Sequence, residues 1–261
     1  MTDKPAHLAP EFGAQFAERS VVAAYRTRPP YPPGTCEILL ELVTPAGAPV
    51  LELGAGSGDL TCELAPRVAA LDAVEPAEAM LAVARERAAR IPNLRWFASG
   101  AESFETDLRY GLAVAAESLH WMEWKVVLPK LARLLRPAAP LAIVTRGLEA
   151  LPWDAELGRL IATHSTNRDF RAYDLVEELA QRGLFRERGR RRTPPATFAQ
   201  PLADYVESFH SRNGFSRERM TAAGADAFDA ALRALVLRHA PDGELRLRVS
   251  ALVIFGTPLS G

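Results

Sequence analysis

Short apolar runs alternate with helical segments between residues 50 and 145, and this alternation restricts the possible fold more than any other feature of the chain. The predicted strands cover residues 50–53, 71–74, 94–98, 112–116 and 141–145, and the predicted helices cover 60–68, 77–89 and 125–135. Strands that are apolar on both faces are typical of parallel sheets, because crossover helices cover each side. The sequence therefore predicts an α/β protein with a doubly wound sheet.

The flanking segments predict additions to that sheet. Helices are expected over residues 12–25, 35–43, 153–163, 173–182, 203–210 and 226–239, and a strand over 185–193. Residues 244–255 alternate apolar and polar side chains before turning apolar, and no helix follows, so this last strand should join the sheet antiparallel. Residues 198–241 are too long for a loop, which indicates an inserted helical cap.

These elements predict a Rossmann-like, mostly parallel sheet in a single domain over residues 1–261. We expect an N-terminal helical lid at 1–45, a core at 46–148, a cap with part of the sheet at 149–243, and the final strand at 244–257.

Charge and composition argue against several classes of protein. With 31 Lys and Arg against 32 Asp and Glu, the chain has no overall attraction to nucleic acid or an anionic membrane. Two cysteines are too few for a zinc knuckle or a disulfide framework. The first twelve residues lack the apolar run of a secretory signal, and no stretch approaches the ~20 apolar residues of a membrane span. We expect a soluble, cytoplasmic monomer or homodimer without a metal, nucleic-acid or membrane partner.

A glycine-rich turn follows the first strand of the core. Gly54, Gly56 and Gly58 are spaced as Gly-x-Gly-x-Gly, which differs from the Gly-x-Gly-x-x-Gly of dinucleotide-binding folds. Glycine lets the backbone turn tightly and lets a ligand approach without interference from a Cβ. Glu75 ends the next strand, and a carboxylate there can accept both hydroxyls of a ribose, although a solvated strand end is the alternative.

These motifs, together with Gly100-Ala101-Glu102, resemble the cofactor motifs of class I S-adenosylmethionine-dependent methyltransferases. Within that superfamily the chain is most similar to the small-molecule group around trans-aconitate methyltransferase. The narrower resemblance is carried by residues 25–32 (Tyr-Arg-Thr-Arg-Pro-Pro-Tyr-Pro) and 117–121 (Glu-Ser-Leu-His-Trp). It covers residues 20–148 well, and residues 150–240 have no motif that names a substrate.

The resemblance implies S-adenosyl-L-methionine as cofactor, with S-adenosyl-L-homocysteine as product. It implies that the glycines line the methionine half above Glu52, that Glu75 holds the ribose, and that Ala101 offers its N–H to the adenine. Many relatives have an aspartate at the position of Gly100, so here Glu102, backbone or water must contact the adenine amino group. The full set implied to bind the cofactor is Tyr25, Glu52, Gly54, Ala55, Gly56, Gly58, Glu75, Pro76, Gly100, Ala101, Glu102, Glu117 and Ser118.

His120 follows the fourth strand, at the edge where doubly wound sheets bind ligands. It is a candidate catalytic base, and the alternative is a neutral side chain in the pocket wall. Arg28, Trp121 and Trp153 are candidate substrate contacts, since Arg28 could bind a carboxylate by a bidentate fork.

The predicted function is in-line methyl transfer to an oxygen, carboxylate or hydroxyl, of a small organic molecule or secondary metabolite. The alternatives are a small-molecule N-methyltransferase, a non-catalytic protein that binds the same cofactor, and an NAD-dependent oxidoreductase, which the glycine spacing disfavours. Nucleobase methylation is also disfavoured, because the fourth strand is not followed by an (Asp/Asn)-Pro-Pro-(Tyr/Phe) motif.

Overall fold

The computed structural model describes residues 4–260, and its centre is one mixed sheet of eight strands. The strands are β1 (Val50–Leu53), β2 (Leu71–Glu75), β3 (Leu94–Ala98), β4 (Leu112–Ala116), β5 (Leu141–Leu148), β6 (Phe185–Arg192), β7 (Ala196–Pro201) and β8 (Glu244–Pro258). Their order is β3-β2-β1-β4-β5-β8-β6, with β7 also paired to β8. Strands β1 to β5 are parallel and β8 is antiparallel to β5, which confirms the predicted fold class.

The sheet is covered on both faces by helices, as the apolar strands require. The α-helices are α1 (Pro10–Gly13), α2 (Arg19–Tyr25), α3 (Gly34–Leu42), α4 (Thr61–Leu64), α5 (Glu78–Arg87), α6 (Trp124–Leu134), α7 (Asp154–His164), α8 (Leu175–Gln181), α9 (Leu202–Phe209) and α10 (Ala222–Leu237). Alternate residues of β1 enter opposite cores, since Leu51 packs in the cluster with Trp124 of α6 and Val50 in the cluster with Leu39 of α3.

Three predicted elements differ from the structure. The helix expected over 12–25 is broken at Glu18, which has an extended backbone and whose carboxylate accepts a hydrogen bond from Arg219 at 2.6 Å. The helix expected over 60–68 shortens to α4 and a 3₁₀ turn at Ala65–Arg67, because Pro66 removes a backbone donor. Residues 196–201 form β7, which pairs with the first residues of β8, whereas the sequence predicts 198–201 as part of the helical cap.

A charged group is buried inside the parallel sheet. The Asp72 side chain, in β2, is 2% exposed. It accepts two hydrogen bonds from Arg95 at 2.7 and 2.6 Å and one from the Tyr110 hydroxyl at 2.6 Å. Buried carboxylates of this kind stabilise a fold only while their partners remain.

We therefore expect Tyr110→Phe to lower the free energy of unfolding by about 1 kcal/mol, the usual net value of one such hydrogen bond. Asp72→Asn should cost more, roughly 1–3 kcal/mol, because it weakens all three bonds at once. Urea denaturation followed by circular dichroism measures both. Equal stability of Asp72→Asn and the wild-type protein would contradict this description of the network.

The carboxyl ends of β1, β2 and β4 meet at one edge of the sheet, and Gly54, Glu75 and Glu117 follow or end these strands there. Doubly wound folds bind their ligands at this edge. Among the helices of residues 4–260, none combines the length and the apolar character needed to span a bilayer.

Candidate active site

The turn after β1 is built so that backbone, not side chain, faces the edge of the sheet. Gly54 has a φ of +68°, in the left-handed region that glycine adopts without strain. A Cβ on Gly54 would lie 2.5 Å from the Ser118 Cβ. Ser118 is held there because its hydroxyl donates to the Leu53 carbonyl at 2.6 Å. The turn and the end of β4 are therefore in contact with no room for a larger residue.

Glu75 links this turn to the start of α5. Its Oε2 accepts a hydrogen bond from the Gly56 N–H at 2.9 Å, and its Oε1 accepts one from the Ala77 N–H at 2.8 Å. Burial raises the pKa of Glu75, and the two N–H groups oppose that shift. Each carboxylate oxygen has a further lone pair for a ligand. The side chain is thus a fixed, buried acceptor rather than a solvated strand end.

Glu52 lies one layer deeper, in β1. It is 1% exposed, and its Oε2 accepts a hydrogen bond from the Thr61 hydroxyl at 2.7 Å. Burial raises the pKa of Glu52 to about 7. Its contact with Thr61 at the start of α4 supports the glycine turn from below.

A cavity of about 1050 Å³ opens over the turn and Glu75. Eleven of the residues singled out in the sequence line it, namely Tyr25, Gly54, Gly56, Glu75, Pro76, Gly100, Ala101, Glu102, Glu117, Ser118 and Trp121. Its volume is at the upper end of the range for small-molecule and cofactor sites. The glycine turn, the Gly100–Glu102 segment and the residues after β4 therefore face one space.

The structure places six other predicted site residues outside this lining: Arg28, Glu52, Ala55, Gly58, His120 and Trp153. Gly58 is turned toward the protein interior, because a Cβ there would lie 3.2 Å from Trp96 and 3.3 Å from the Cys62 sulfur. Close packing therefore accounts for the glycine at this position, and the implied role of Gly58 in lining the methionine half stays a prediction. Trp153 is buried in the cap, where its Nε1 donates to the Tyr205 hydroxyl at 3.1 Å.

The N-terminal segment closes the cavity from above. Residues of the lid from Lys4 to Tyr25 contribute to its lining, and the Phe16 ring lies 5.5 Å from the Trp121 ring. Lys4 donates to the Met122 carbonyl at 3.1 Å. Sequence reasoning missed Lys4, Phe16 and Met122, because these segments lack a motif.

Glu117 stands in an unusual conformation at the end of β4. It is one of two non-glycine residues with a positive φ among residues 4–260, at +54°. Its Oε1 accepts a hydrogen bond from the Arg146 N–H at 2.5 Å. Strained backbone of this kind persists where neighbouring contacts fix it, and it is frequent at functional sites.

His120 is half-buried beside Trp121, with 4.6 Å between the ring centroids. Burial, together with the positive charges of Lys4 and Arg28, lowers the pKa of His120 to about 4. The imidazole is therefore neutral at pH 7.

This position predicts a pH effect on stability. Between pH 4 and 6.5 the unfolded chain binds more protons at this ring than the folded protein does, so acidification through that window should lower the free energy of unfolding. Glu52, whose pKa is raised, contributes with the opposite sign, so we would compare wild-type protein with His120→Gln in urea at several pH values. In the variant, the free energy of unfolding should fall less between pH 6.5 and pH 4 than it does in the wild-type protein. Identical pH profiles would contradict the lowered pKa.

Arg28 lines a second, smaller cavity, which adjoins the first at Glu117. Among residues 4–260, no group of three or more His, Cys, Asp or Glu side chains is arranged to hold a metal ion.

Comparison with known proteins agrees with this geometry. Residues 50–138 match the model of a methyltransferase domain family. Uncharacterized methyltransferases of Mycobacterium bovis and Mycobacterium tuberculosis are 41% identical to this chain over 147 residues, which is 54% of this chain and 57% of theirs. The match thus spans little more than half the length of these relatives.

Solved structures share the whole fold. A structure assigned to a type II methyltransferase of Anaeromyxobacter dehalogenans is 28% identical, with a TM-score of 0.64 over 89% of this chain and 99% of that one. A methyltransferase of Geobacter sulfurreducens in complex with S-adenosyl-L-homocysteine is 18% identical, with a TM-score of 0.51 over 93% of this chain and 98% of that one. The second likeness concerns the fold alone.

Proposed function

We propose, from the matched methyltransferase domain and the shared fold, that this chain is a class I S-adenosylmethionine-dependent methyltransferase that transfers a methyl group from that cofactor to an oxygen of a small organic molecule. The observation that carries the proposal is the fixed Glu75 carboxylate, which accepts a hydrogen bond from the Gly56 N–H and lines a cavity of about 1050 Å³. This is the arrangement that a ribose with two hydroxyls requires.

The residues present fit the cofactor. Glu75 would accept the ribose hydroxyls, and the backbone at Gly54 and Gly56 would face the methionine half, since no Cβ lies in the way. Ala101 lies at the cavity wall, where its backbone can meet the adenine edge. When bound, the cofactor supplies a methyl group on a sulfonium: the S–C bond breaks as the O–C bond forms, and the bonding electron pair stays on sulfur.

The work left to the protein is alignment and exclusion of water, and positioning of this kind can supply about 7–11 kcal/mol of the barrier. The lid performs the second task, because Phe16 and Tyr25 form part of the roof of the cavity with Trp121 below them. His120, with its pKa of about 4, is a weak base, and we assign it a packing role beside the wall residue Trp121, outside the cavity lining itself.

The positive charges nearest His120 support oxygen as the acceptor atom. Lys4 and Arg28 act on His120 in the direction that disfavours a further positive charge beside it, while four carboxylates, Glu75, Glu102, Glu117 and Glu123, line the cavity itself. A protonated amine placed beside His120 would meet the same repulsion, whereas a carboxylate or a hydroxyl there would not. A carboxylate also needs no base.

The test is methyl transfer from radiolabelled S-adenosylmethionine to panels of carboxylic acids, alcohols, phenols and amines, with binding of S-adenosylhomocysteine and NAD measured by calorimetry. We expect binding of the sulfur compound and turnover on an oxygen acceptor. Turnover on amines alone would contradict the oxygen assignment. Cofactor binding without any turnover would favour a non-catalytic protein, and binding of NAD alone would replace the proposal.

A further inference from the structure

The second cavity has a volume of about 420 Å³ and is lined by three arginines from distant parts of the chain, Arg28, Arg146 and Arg212. Glu117 lines both cavities, so the two spaces adjoin at the end of β4. The second cavity is therefore placed to hold a molecule that reaches toward the first.

Two of the three guanidinium groups are fixed by the protein. Arg28 donates from Nε to the Ser211 hydroxyl at 2.7 Å, from Nη2 to the Ser211 carbonyl at 2.6 Å, and from Nη1 to the Tyr25 hydroxyl at 3.2 Å. Arg146 donates to the Pro29 carbonyl at 2.5 Å and lies over the Tyr31 ring at 4.3 Å. Each keeps N–H groups that these bonds do not use, since a guanidinium has five.

Arg212 differs from the other two. Its guanidinium stacks on the Phe209 ring at 3.9 Å. Within residues 4–260 it has no hydrogen bond or ion pair with another side chain or with a carbonyl. Burial lowers its pKa to about 10, and the neighbouring charges of Arg28 and Arg146 act in the same direction. The Phe209 ring thus holds the planar Arg212 guanidinium in place. The N–H groups of this guanidinium have no acceptor among the described residues.

Two carboxylates border the cavity, and neither forms a hydrogen bond or an ion pair with Arg212 in the described part of the chain, while the charge of Glu117 favours the charged form of Arg212 from a distance. The Glu117 Oε1 accepts a bond from the Arg146 backbone, and the Asp154 Oδ2 accepts one from the Leu151 N–H at 2.8 Å at the exposed rim. No ion pair joins either of them to the three arginines in the described part of the chain. A half-buried positive charge without a hydrogen-bonded partner is costly, and a bound anion lowers that cost.

We infer that the second cavity binds the methyl acceptor through an anionic oxygen group, a carboxylate or a phosphate, that accepts hydrogen bonds from Arg212. The reactive oxygen of the same molecule then points past Glu117 toward the first cavity. The role of this molecule as acceptor rests on the proposed function, while the binding of the anion does not. The small volume and the apolar wall formed by Leu148, Leu157 and Val249 restrict the ligand to a small organic anion.

The experiment uses succinate and inorganic phosphate as probes, with succinamide as the neutral match of succinate. Binding of each is measured by calorimetry to the full chain, alone and saturated with S-adenosylhomocysteine. Arg212→Met keeps a side chain of similar length and removes its charge. Arg212→Lys keeps the charge and removes the planar pair of guanidinium N–H donors. Arg246→Met, on an exposed position of β8, is the matched control.

We expect succinate or phosphate to bind and succinamide not to bind. The anion with the higher affinity shows whether the ligand's anionic group is a carboxylate or a phosphate. Arg212→Met should weaken the binding of that anion by about tenfold or more, the effect expected when a charge-assisted hydrogen bond is lost. Arg246→Met should bind it as wild type does, and Arg212→Lys should recover part of the affinity. Arg212→Met should keep the wild-type affinity for S-adenosylhomocysteine, which also shows that the variant is folded.

Equal binding of succinamide and succinate, no binding of either anion, or full anion affinity in Arg212→Met would overturn the inference. If Arg212→Met does not fold, the comparison of succinate with succinamide on wild-type protein decides. Anion binding without any binding of S-adenosylhomocysteine would overturn the proposed function and leave the anion site established. The two failures are therefore distinguishable.

Discussion

Glu75→Gln should weaken the binding of S-adenosylhomocysteine by roughly 30-fold to 1000-fold. The carboxylate is already oriented by the Gly56 and Ala77 N–H groups, so its remaining lone pairs are available to two ribose hydroxyls at no further cost of ordering. Hydrogen bonds to a charged group contribute about 1.5–3 kcal/mol each, and losing most of two such bonds gives this range. Isothermal titration calorimetry measures the change directly.

The substitution also tests why the carboxylate must be charged at this position. The glutamine amide has one accepting oxygen, so either Gly56 or Ala77 would face an NH₂ group and lose its acceptor. Glu78→Gln is the matched control, because Glu78 lies on the surface of α5, where it pairs with Arg85. Wild-type affinity in a folded Glu75→Gln protein would contradict the ribose assignment.

The parallel part of the sheet could be predicted because each of its strands is identified by residues that are neighbours in the sequence. Each strand from β1 to β5 is a short apolar run, and a helix or a turn residue bounds it in the sequence. β8 was also predictable, since its first residues alternate and no helix follows. β7 was not, because its partner residues lie more than 40 positions later in the chain and its own composition includes Pro201 and Gln200. Only tertiary pairing makes that segment a strand.

The first cavity could likewise be predicted from local sequence patterns, whereas the second cavity, lined by three arginines, could not. Gly54 and Glu75 stand at strand ends that the sequence identifies, so their convergence follows from the topology. Arg28, Arg146 and Arg212 come from the lid, β5 and the segment after α9, and no pattern in the sequence brings them together. From the sequence, the aromatic side chain of Trp153 is compatible with either a ligand pocket or a hydrophobic core. In the structure it packs in the hydrophobic core of the cap.

Gly54→Ala should disable the site through geometry alone, and Gly47→Ala provides the matched comparison. Both glycines have a positive φ, +68° and +78°, so an alanine at either position carries the left-handed cost of about 1–2 kcal/mol. Around Gly47 a Cβ meets nothing within 4 Å, whereas at Gly54 it lies 2.5 Å from the Ser118 Cβ. Relieving that contact must displace either the turn or the end of β4.

We therefore expect Gly47→Ala to lose about 1–2 kcal/mol of unfolding free energy and to bind S-adenosylhomocysteine as wild type does. Gly54→Ala should lose a further 1–3 kcal/mol through overpacking and bind the compound at least tenfold more weakly, because the Gly54 turn and Ser118 both line the cavity. Urea denaturation and calorimetry on the same preparations separate the two effects. Equal losses in both variants would mean that the left-handed backbone, and not the contact between the turn and β4, sets the requirement for glycine at Gly54.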